Sequence, residues 1–222
     1  HHDAAIAQPC GMLEPRRDQR KGNAGIGRLG PAEAEEQLRT AVSTGATKAV
    51  LVPIDTTDWD PQKTSEALAK VIAELETANG KYDLILFGNE SADSCGYQVG
   101  IRVALKLGRP IVNGAKGLEI ESDIATIRRE SDAGVEIYKL KTPACVGVKE
   151  GINLPRYPTM KGRLASKKVA ITQSAMTAET GGLKLITLQR PAERASNTKI
   201  LGTGPEAASA VVDLLVELGV FK

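Results

Sequence analysis

The chain is poor in the residues from which catalytic and metal centres are most often built. Two histidines occur in 222 residues, side by side at positions 1 and 2 in the manner of a purification tag, which leaves no other imidazole to serve as a general base. Three cysteines, Cys10, Cys95 and Cys145, are too few and too scattered for a disulfide framework or a zinc site. Aromatic residues make up 3% of the chain, which argues against stacking platforms for nucleic-acid bases. The formal net charge of +2 argues equally against a strongly basic nucleic-acid surface. No apolar run approaches the roughly 20 residues that span a bilayer. The expectation is a soluble protein of a reducing, cytoplasmic compartment with no transmembrane segment.

Hydrophobic residues reach 41%, enough for one good core and a long appendage. Their order along the chain predicts an α/β fold. Pro31 to Val42 is rich in helix formers, with Gly45 placed to end the helix. Ala49 to Val52 is a short apolar strand. Asp60 can cap the next helix with Pro61 at its first position, and Ala67, Leu68, Val71, Ile72 and Leu75 then share one face. Leu84 to Gly88 has the continuity of a buried parallel strand, and Val99, Val103 and Leu107 follow at helical spacing. Pro110 to Asn113 is a further strand. The repeated alternation predicts a parallel sheet covered on both faces.

From Gly117 the pattern changes to three short strands, marked by Leu118 and Ile120, by Ile124 and Ile127, and by Val135 to Leu140, with turn residues between them. This predicts a β-meander inserted before Ala144 to Val148 returns the chain to the sheet. Pro155 and Pro158 keep the segment from Ile152 to Met160 non-helical, and a basic segment runs from Lys161 to Val169. The core is expected over residues 30–170, with 171–222 forming an extended arm that closes in a helix from about Pro205 to Leu218. Ala208, Val211, Val212, Leu215 and Leu218 make the apolar side of that helix.

Residues 84–100 are the most informative stretch. A strand running through a Gly-containing polar loop into a helix N-terminus is an anion-binding geometry, because first-turn N–H groups lack intrahelical partners and carry the positive end of the dipole. An ordinary β-loop-α connection without a ligand has the same outline, and no full Gly-rich fingerprint is present.

Four motifs together narrow the reading: Gly88-Asn-Glu-Ser-Ala-Asp93 after a strand, Arg129-Glu130-Ser-Asp-Ala-Gly134 in the meander, Pro143-Ala-Cys-Val146 in the return strand, and Ile152-Asn-Leu-Pro-Arg-Tyr157 ahead of a basic helix. In this order, with the arm behind them, they resemble the beta subunit of electron transfer flavoproteins from about Gly30 to the C-terminus. The resemblance implies a Rossmann-like adenine-nucleotide-binding domain in a bacterial cytoplasmic heterodimer. Its alpha subunit partner mainly holds a redox-active FAD, and a structural AMP is buried in the beta subunit. Electrons would arrive from acyl-CoA and related dehydrogenases, as in fatty acid oxidation, and leave to a quinone oxidoreductase.

The resemblance also assigns residues. The AMP phosphate loop would comprise Asp93, Gly96, Tyr97, Gln98, Val99 and Gly100, with Tyr97 and Val99 contributing backbone N–H groups only. Ser94-Cys95-Gly96 departs from the loop of relatives that carry a second FAD, which favours AMP. Glu130 corresponds to a flavin-proximal switch position. Arg156, Tyr157, Met160, Lys161 and Leu164 correspond to the segment that docks dehydrogenases, with Met160 as the apolar anchor ringed by Lys161, Arg163, Lys167 and Lys168, and Leu164 as the competing anchor.

Residues 1–29 depart from the pattern. The first family strand is not recognisable, Asp3 to Gln8 has the character of a helix remnant stopped by Pro9, and Glu14 to Arg28 has the composition of a disordered segment, as after truncation or a frame shift. Two other readings share the expected topology: an ATP pyrophosphatase or universal stress protein, and a non-redox nucleotide sensor or scaffold. Against an ATP-hydrolysing enzyme stand the missing Ser-Gly-Gly-x-Asp-Ser loop and the missing Walker lysine.

Overall fold

The computed structural model describes residues 24–54, 60–90, 95–154, 157–175, 182–183, 186–192 and 198–221, together with the backbone of 4–6. The chain divides into two units, His1–Leu185 and Ile186–Lys222. In the first, a nine-stranded sheet has the order β7-β6-β5-β8-β4-β1-β2-β3-β9. Its strands are β1 (Ala4–Ile6), β2 (Ala24–Gly30), β3 (Lys48–Pro53), β4 (Leu84–Gly88), β5 (Ile111–Glu121), β6 (Ile124–Ser131), β7 (Gly134–Lys141), β8 (Ala144–Val148) and β9 (Ile171–Gln173). All neighbours pair in parallel except β5 with β6 and β6 with β7, which are antiparallel.

The helices follow from local signals. In α1 (Ala34–Ser43) the first turn begins later than Pro31, because Pro31 to Glu33 form a tighter turn in which the Ala34 N–H donates to the Pro31 carbonyl at 2.9 Å. In α2 (Pro61–Asn79) the Asp60 carboxylate accepts from the Lys63 N–H at 2.8 Å and Pro61 occupies the first position, as the sequence predicts. The helices α3 (Val99–Lys106) and α4 (Met160–Ser166) complete the unit.

Alternation along β4 shows why both sheet faces are covered. Leu84 and Leu86 pack in one cluster with Leu38 and Val42 of α1, whereas Ile85 and Phe87 pack in another with Leu68 and Ile72 of α2 and Val103 of α3. Each of the four β4 side chains is almost wholly buried. That two-sided burial is the reason the sequence reads as a continuous apolar run rather than an alternating one.

The structure differs from the sequence-based expectation in three places. Ala4–Ile6 is a strand, not a helix remnant, and Ala24–Gly30 is a strand where a disordered segment was expected. In a central strand with parallel neighbours on both sides, ladder hydrogen bonds and packing outweigh the poor β-propensity of Ala-Gly-Ile-Gly-Arg-Leu-Gly. Second, Pro110 to Asn113 and the first meander strand are one strand, β5. It pairs with β8 and then crosses to β6 through a register shift between Val112 and Ala115, where Gly114 adopts φ +77°. The meander therefore continues the sheet. Third, the sheet does not end near residue 170, since β9 pairs in parallel with β3. The expected features of residues 7–23 and 176–181 lie outside the described residues.

The second unit contains a 3₁₀ turn, Pro205–Ala207, leading into α5 (Ala208–Glu217). Within α5 no residue is buried; Val211, Val212, Leu214 and Val216 are exposed and Leu215 is half-buried.

Among the described residues of the first unit, one ion pair is buried. Glu76 near the end of α2 accepts from Arg109 Nη2 at 2.5 Å and from the Tyr82 N–H at 3.0 Å, and Arg109 Nη1 donates to the Tyr82 carbonyl at 3.1 Å. The two side chains are 5% and 11% exposed. Burial pushes the nearby Cys145 thiol up to about 12, so it stays protonated and behaves as a small apolar side chain. Removing one member of a buried pair strands the other charge, so Glu76→Ala is expected to lower unfolding free energy by about 3–5 kcal/mol. The paired apolar replacement Glu76→Leu with Arg109→Met should cost far less. Urea denaturation of the three proteins measures this, and equal losses for the single and the double variant would refute a desolvated pair.

Candidate functional site

The strand order reverses at β1. From it the chain steps outward to β2 and β3 on one side, then returns to β4 and β8 on the other. In open parallel sheets such a reversal leaves a crevice in front of the carboxyl ends of the strands, where the two following connections diverge. The loop after β4 and the N-terminus of α3 lie on this rim.

Gly100 positions α3 against the strand. A Cβ at this residue would lie 3.0 Å from Cγ of Phe87, so only glycine lets the first turn of the helix approach β4 this closely. Cys95 precedes it with φ +51°, a left-handed turn that is unusual for a residue with a side chain. The N-cap residue Gln98 makes no capping bond with its side chain, whose Oε1 instead accepts from Nε and Nη2 of Arg102 at 3.2 and 3.1 Å. The first intrahelical bond here is donated by the Arg102 N–H to the Gln98 carbonyl, which leaves the N–H groups of Val99, Gly100 and Ile101 without an intrahelical acceptor. Asn89, just past β4, has its Oδ1 buried and unpartnered. Open N–H donors and an orphaned acceptor on one loop fit the phosphate and a hydroxyl of a nucleotide.

Tyr97 does more than start a helix. Its hydroxyl and the Arg129 stem both lie over the bare Cα of Gly114, 3.8 and 3.2 Å from where a Cβ would stand. Arg129 Nε donates to Glu136 Oε2 at 2.7 Å, its Nη2 donates to the Tyr138 hydroxyl at 2.8 Å, and its guanidinium stacks 5.1 Å from the Tyr138 ring centre. The Tyr138 hydroxyl in turn donates to Glu136 at 2.8 Å, and these two donors hold the Glu136 carboxyl below the usual carboxylate range. The loop is thereby propped against the meander.

Glu130, next along β6, points to the opposite face. It sits across from Val135 of β7, is exposed, and has no hydrogen bond or ion pair among the described residues. It is free to meet a cation from outside the chain.

Three of the residues expected to dock a partner, Met160, Lys161 and Leu164, lie on α4. Thr159 caps this helix by accepting from the Gly162 N–H at 3.0 Å, and a side chain at 162 would collide with the Ser43 carbonyl of α1. Arg39 of α1 donates to the Ser166 and Val169 carbonyls at 2.9 and 3.3 Å. Gly162 and Ser166 thus face α1. Met160 and Leu164, also one turn apart, face solvent with 73% and 59% of their surface exposed, and Tyr157, Lys161, Arg163, Lys167 and Lys168 are exposed around them.

The sheet order keeps these three regions apart: Glu130 on β6, the loop beside β4, and α4 behind α1 on the far side of β1. Asp93 and Arg156 lie outside the described residues. Sequence reasoning missed Asn89 and the Arg129, Glu136 and Tyr138 cluster. The alternation of Glu136 and Tyr138 with Val135 and Ile137 signals which side chains share a face, but not that Arg129 joins them from the next strand.

A model of the electron transfer flavoprotein domain matches residues 28–179. The chain is similar to the electron transfer flavoprotein subunit beta of Syntrophomonas wolfei, 34% identical over 172 residues that cover 77% of this chain and 66% of that protein. It is also similar to the subunit beta of Mycobacterium leprae, 33% identical over 208 residues covering 88% and 76%, and to that of Bacillus subtilis, 32% identical over 196 residues covering 84% and 74%. The chain spans about two thirds to three quarters of the length of these relatives. This breadth of similarity displaces the reading as a nucleotide-hydrolysing enzyme: the chain belongs to the electron transfer flavoprotein beta-subunit family, an electron-carrier subunit and not an enzyme by itself.

Proposed function

We propose that this chain is the half of a heterodimeric electron transfer flavoprotein that binds AMP and presents the docking surface for dehydrogenases, working in a bacterial cytoplasm. The observation that supports the nucleotide best is the α3 N-terminus, drawn onto β4 by Gly100, with the orphaned oxygen of Asn89 just past the end of β4. Val99 and Gly100 would hold the phosphate through backbone N–H groups, with Gly96, Tyr97 and Gln98 shaping the loop and Asp93 completing it. FAD, held mainly by the alpha subunit, supplies the redox chemistry. Among the described residues no helix is long and apolar enough to cross a membrane, so electrons bound for a membrane quinone oxidoreductase would leave by docking.

The partner surfaces follow from exposure. Among the described residues of their own unit nothing buries the apolar side of α5, and the alpha subunit is the natural cover for this helix. On α4 an exposed methionine among cations suits brief contact with acidic partners: the thioether adapts to differently shaped pockets, and the charges speed encounter. Acyl-CoA and related dehydrogenases are the expected donors.

Three measurements test this reading. Denaturing the purified heterodimer should release close to one AMP together with one FAD. A second FAD in place of AMP would replace the nucleotide assignment, and finding neither would remove the loop from any nucleotide role.

Glu130→Ala should leave flavin content intact while changing the electron-transfer rate by up to about fivefold, since an exposed ion pair is worth at most about 1 kcal/mol. Stopped-flow reduction of the complex reads this out, and unchanged kinetics would exclude Glu130 from domain positioning.

Met160→Ala should raise the apparent KM of a dehydrogenase for the flavoprotein by about tenfold, the effect of an interface anchor worth above 1 kcal/mol. Melting temperature and FAD content should not move, because the side chain is exposed. A larger effect from Leu164→Ala would transfer the anchor role to that residue.

A further inference from the structure

The two faces of β2 are furnished differently. Ile26 packs in the cluster on the α1 side, so alternation sends Gly25 and Gly27 to the face shared with α2. Gly25 lies opposite Lys48 and Gly27 opposite Val50, so β3 presents Lys48, Val50 and Val52 on that same face. Close packing does not impose glycine at 25. Among the described residues a Cβ there would meet one atom within 4 Å, the Tyr82 hydroxyl oxygen at 3.9 Å, which is an ordinary contact. Two bare positions on one face leave a gap beneath α2 instead.

That gap is a cavity of about 480 Å³, within the range of small-molecule sites. Gly25, Gly27, Val50 and Val52 form its floor, and Leu68, Val71 and Leu75 of α2 form its roof. Such walls give water few hydrogen-bond partners, and a space lined by aliphatic groups takes an apolar guest more readily than solvent. From Leu68 to Asn79 the lining follows three turns of α2, about 16 Å along the helix axis. A space of that length and volume suits one extended chain better than a fused ring system.

A cation stands at one end. Lys48 lines the cavity and is exposed, and its Nζ donates to Asn79 Oδ1 at 3.0 Å, which bridges floor and roof. Among the described residues it forms no ion pair. The adjacent Thr47 hydroxyl is already engaged, donating to the Ala24 carbonyl at 3.2 Å. An ammonium with one neutral acceptor has donors left, and a carboxylate would satisfy them and its charge together. This end of the cavity is the amino-terminal end of β3, whereas the α3 loop follows the carboxyl end of β4, and the two strands run in the same direction.

We propose that the cavity is a binding site for an amphiphile with a single apolar tail and a carboxylate head. The tail lies between β2 and α2, and the head rests on Lys48. The site is separate from the nucleotide loop and does not depend on it.

Calorimetric titration of the purified heterodimer with octanoate tests this, with hexanoate and octanol as the comparisons. Octanoate should bind at one site and raise the melting temperature. Hexanoate should bind about tenfold more weakly, the effect of two fewer buried methylenes, and octanol about tenfold more weakly for want of a charge-assisted contact. Gly25→Val, which fills the floor, should weaken octanoate binding at least about tenfold without lowering the melting temperature. If that variant loses FAD or fails to fold, Val71→Phe obstructs the same space from the roof and replaces it. Lys48→Met, which keeps the apolar stem, should bring octanoate down to the affinity of octanol. The proposal is overturned if octanoate does not bind the wild type, if filling the cavity leaves its affinity unchanged, or if octanol binds the wild type as tightly as octanoate does. Nucleotide and FAD release from the same preparation report on the proposed function separately, so failure of one reading is not failure of the other.

Discussion

A single carboxylate oxygen, Oε1 of Glu76, accepts from the Arg109 guanidinium and from the Tyr82 N–H, and three parts of the chain meet at that atom. The end of α2, the start of β4 and the connection from α3 to β5 are fixed there together. Because Arg109 also donates to the Tyr82 carbonyl, the backbone ahead of β4 is held on both its polar groups. The pair lies at the amino-terminal end of β4, and the loop that faces the crevice lies at its carboxyl end. Anchoring the first defines the position of the second, since a five-residue strand buried on both faces transmits little slack.

The crevice is built mostly from what is missing. Glycine at 100 lets α3 close on Phe87, and glycine at 114 lets Tyr97 and Arg129 cross above the sheet. Neither position contributes a side-chain functional group. Each removes a Cβ so that a backbone N–H, a phenol or a guanidinium can reach a place the fold would otherwise fill. The same device operates at Gly162, where the absence of a side chain brings α4 onto α1 and turns Met160 and Leu164 outward.

Separation of the three surfaces has a functional logic. An electron carrier must meet one permanent partner and several transient ones. Under the proposed function, Glu130 on the meander, a nucleotide at the α3 loop and the exposed Met160 of α4 beyond α1 would keep a transient contact away from the bound ligand. Tyr97 and the Arg129, Glu136 and Tyr138 cluster join the α3 loop to the meander on the face opposite Glu130.

Local signals in the sequence were sufficient for the strand and helix order from α1 to α3, for β6 to β8, for the Asp60 cap and for the exit of β4 into a helix, because each rests on residues within one element or its ends. The family was legible for a similar reason, since its motifs are contiguous. What lay beyond reach depends on pairing between distant segments. Residues 24–30 have the composition of a loop and become a strand only because β1 and β3 supply ladder partners on both sides. β5 is one strand because β8 and β6 meet it in succession. The Arg129, Glu136 and Tyr138 cluster forms only because register sets β6 beside β7. Residue type and spacing set what each segment can form by itself, whereas hydrogen-bond register between strands far apart in sequence decides which side chains meet.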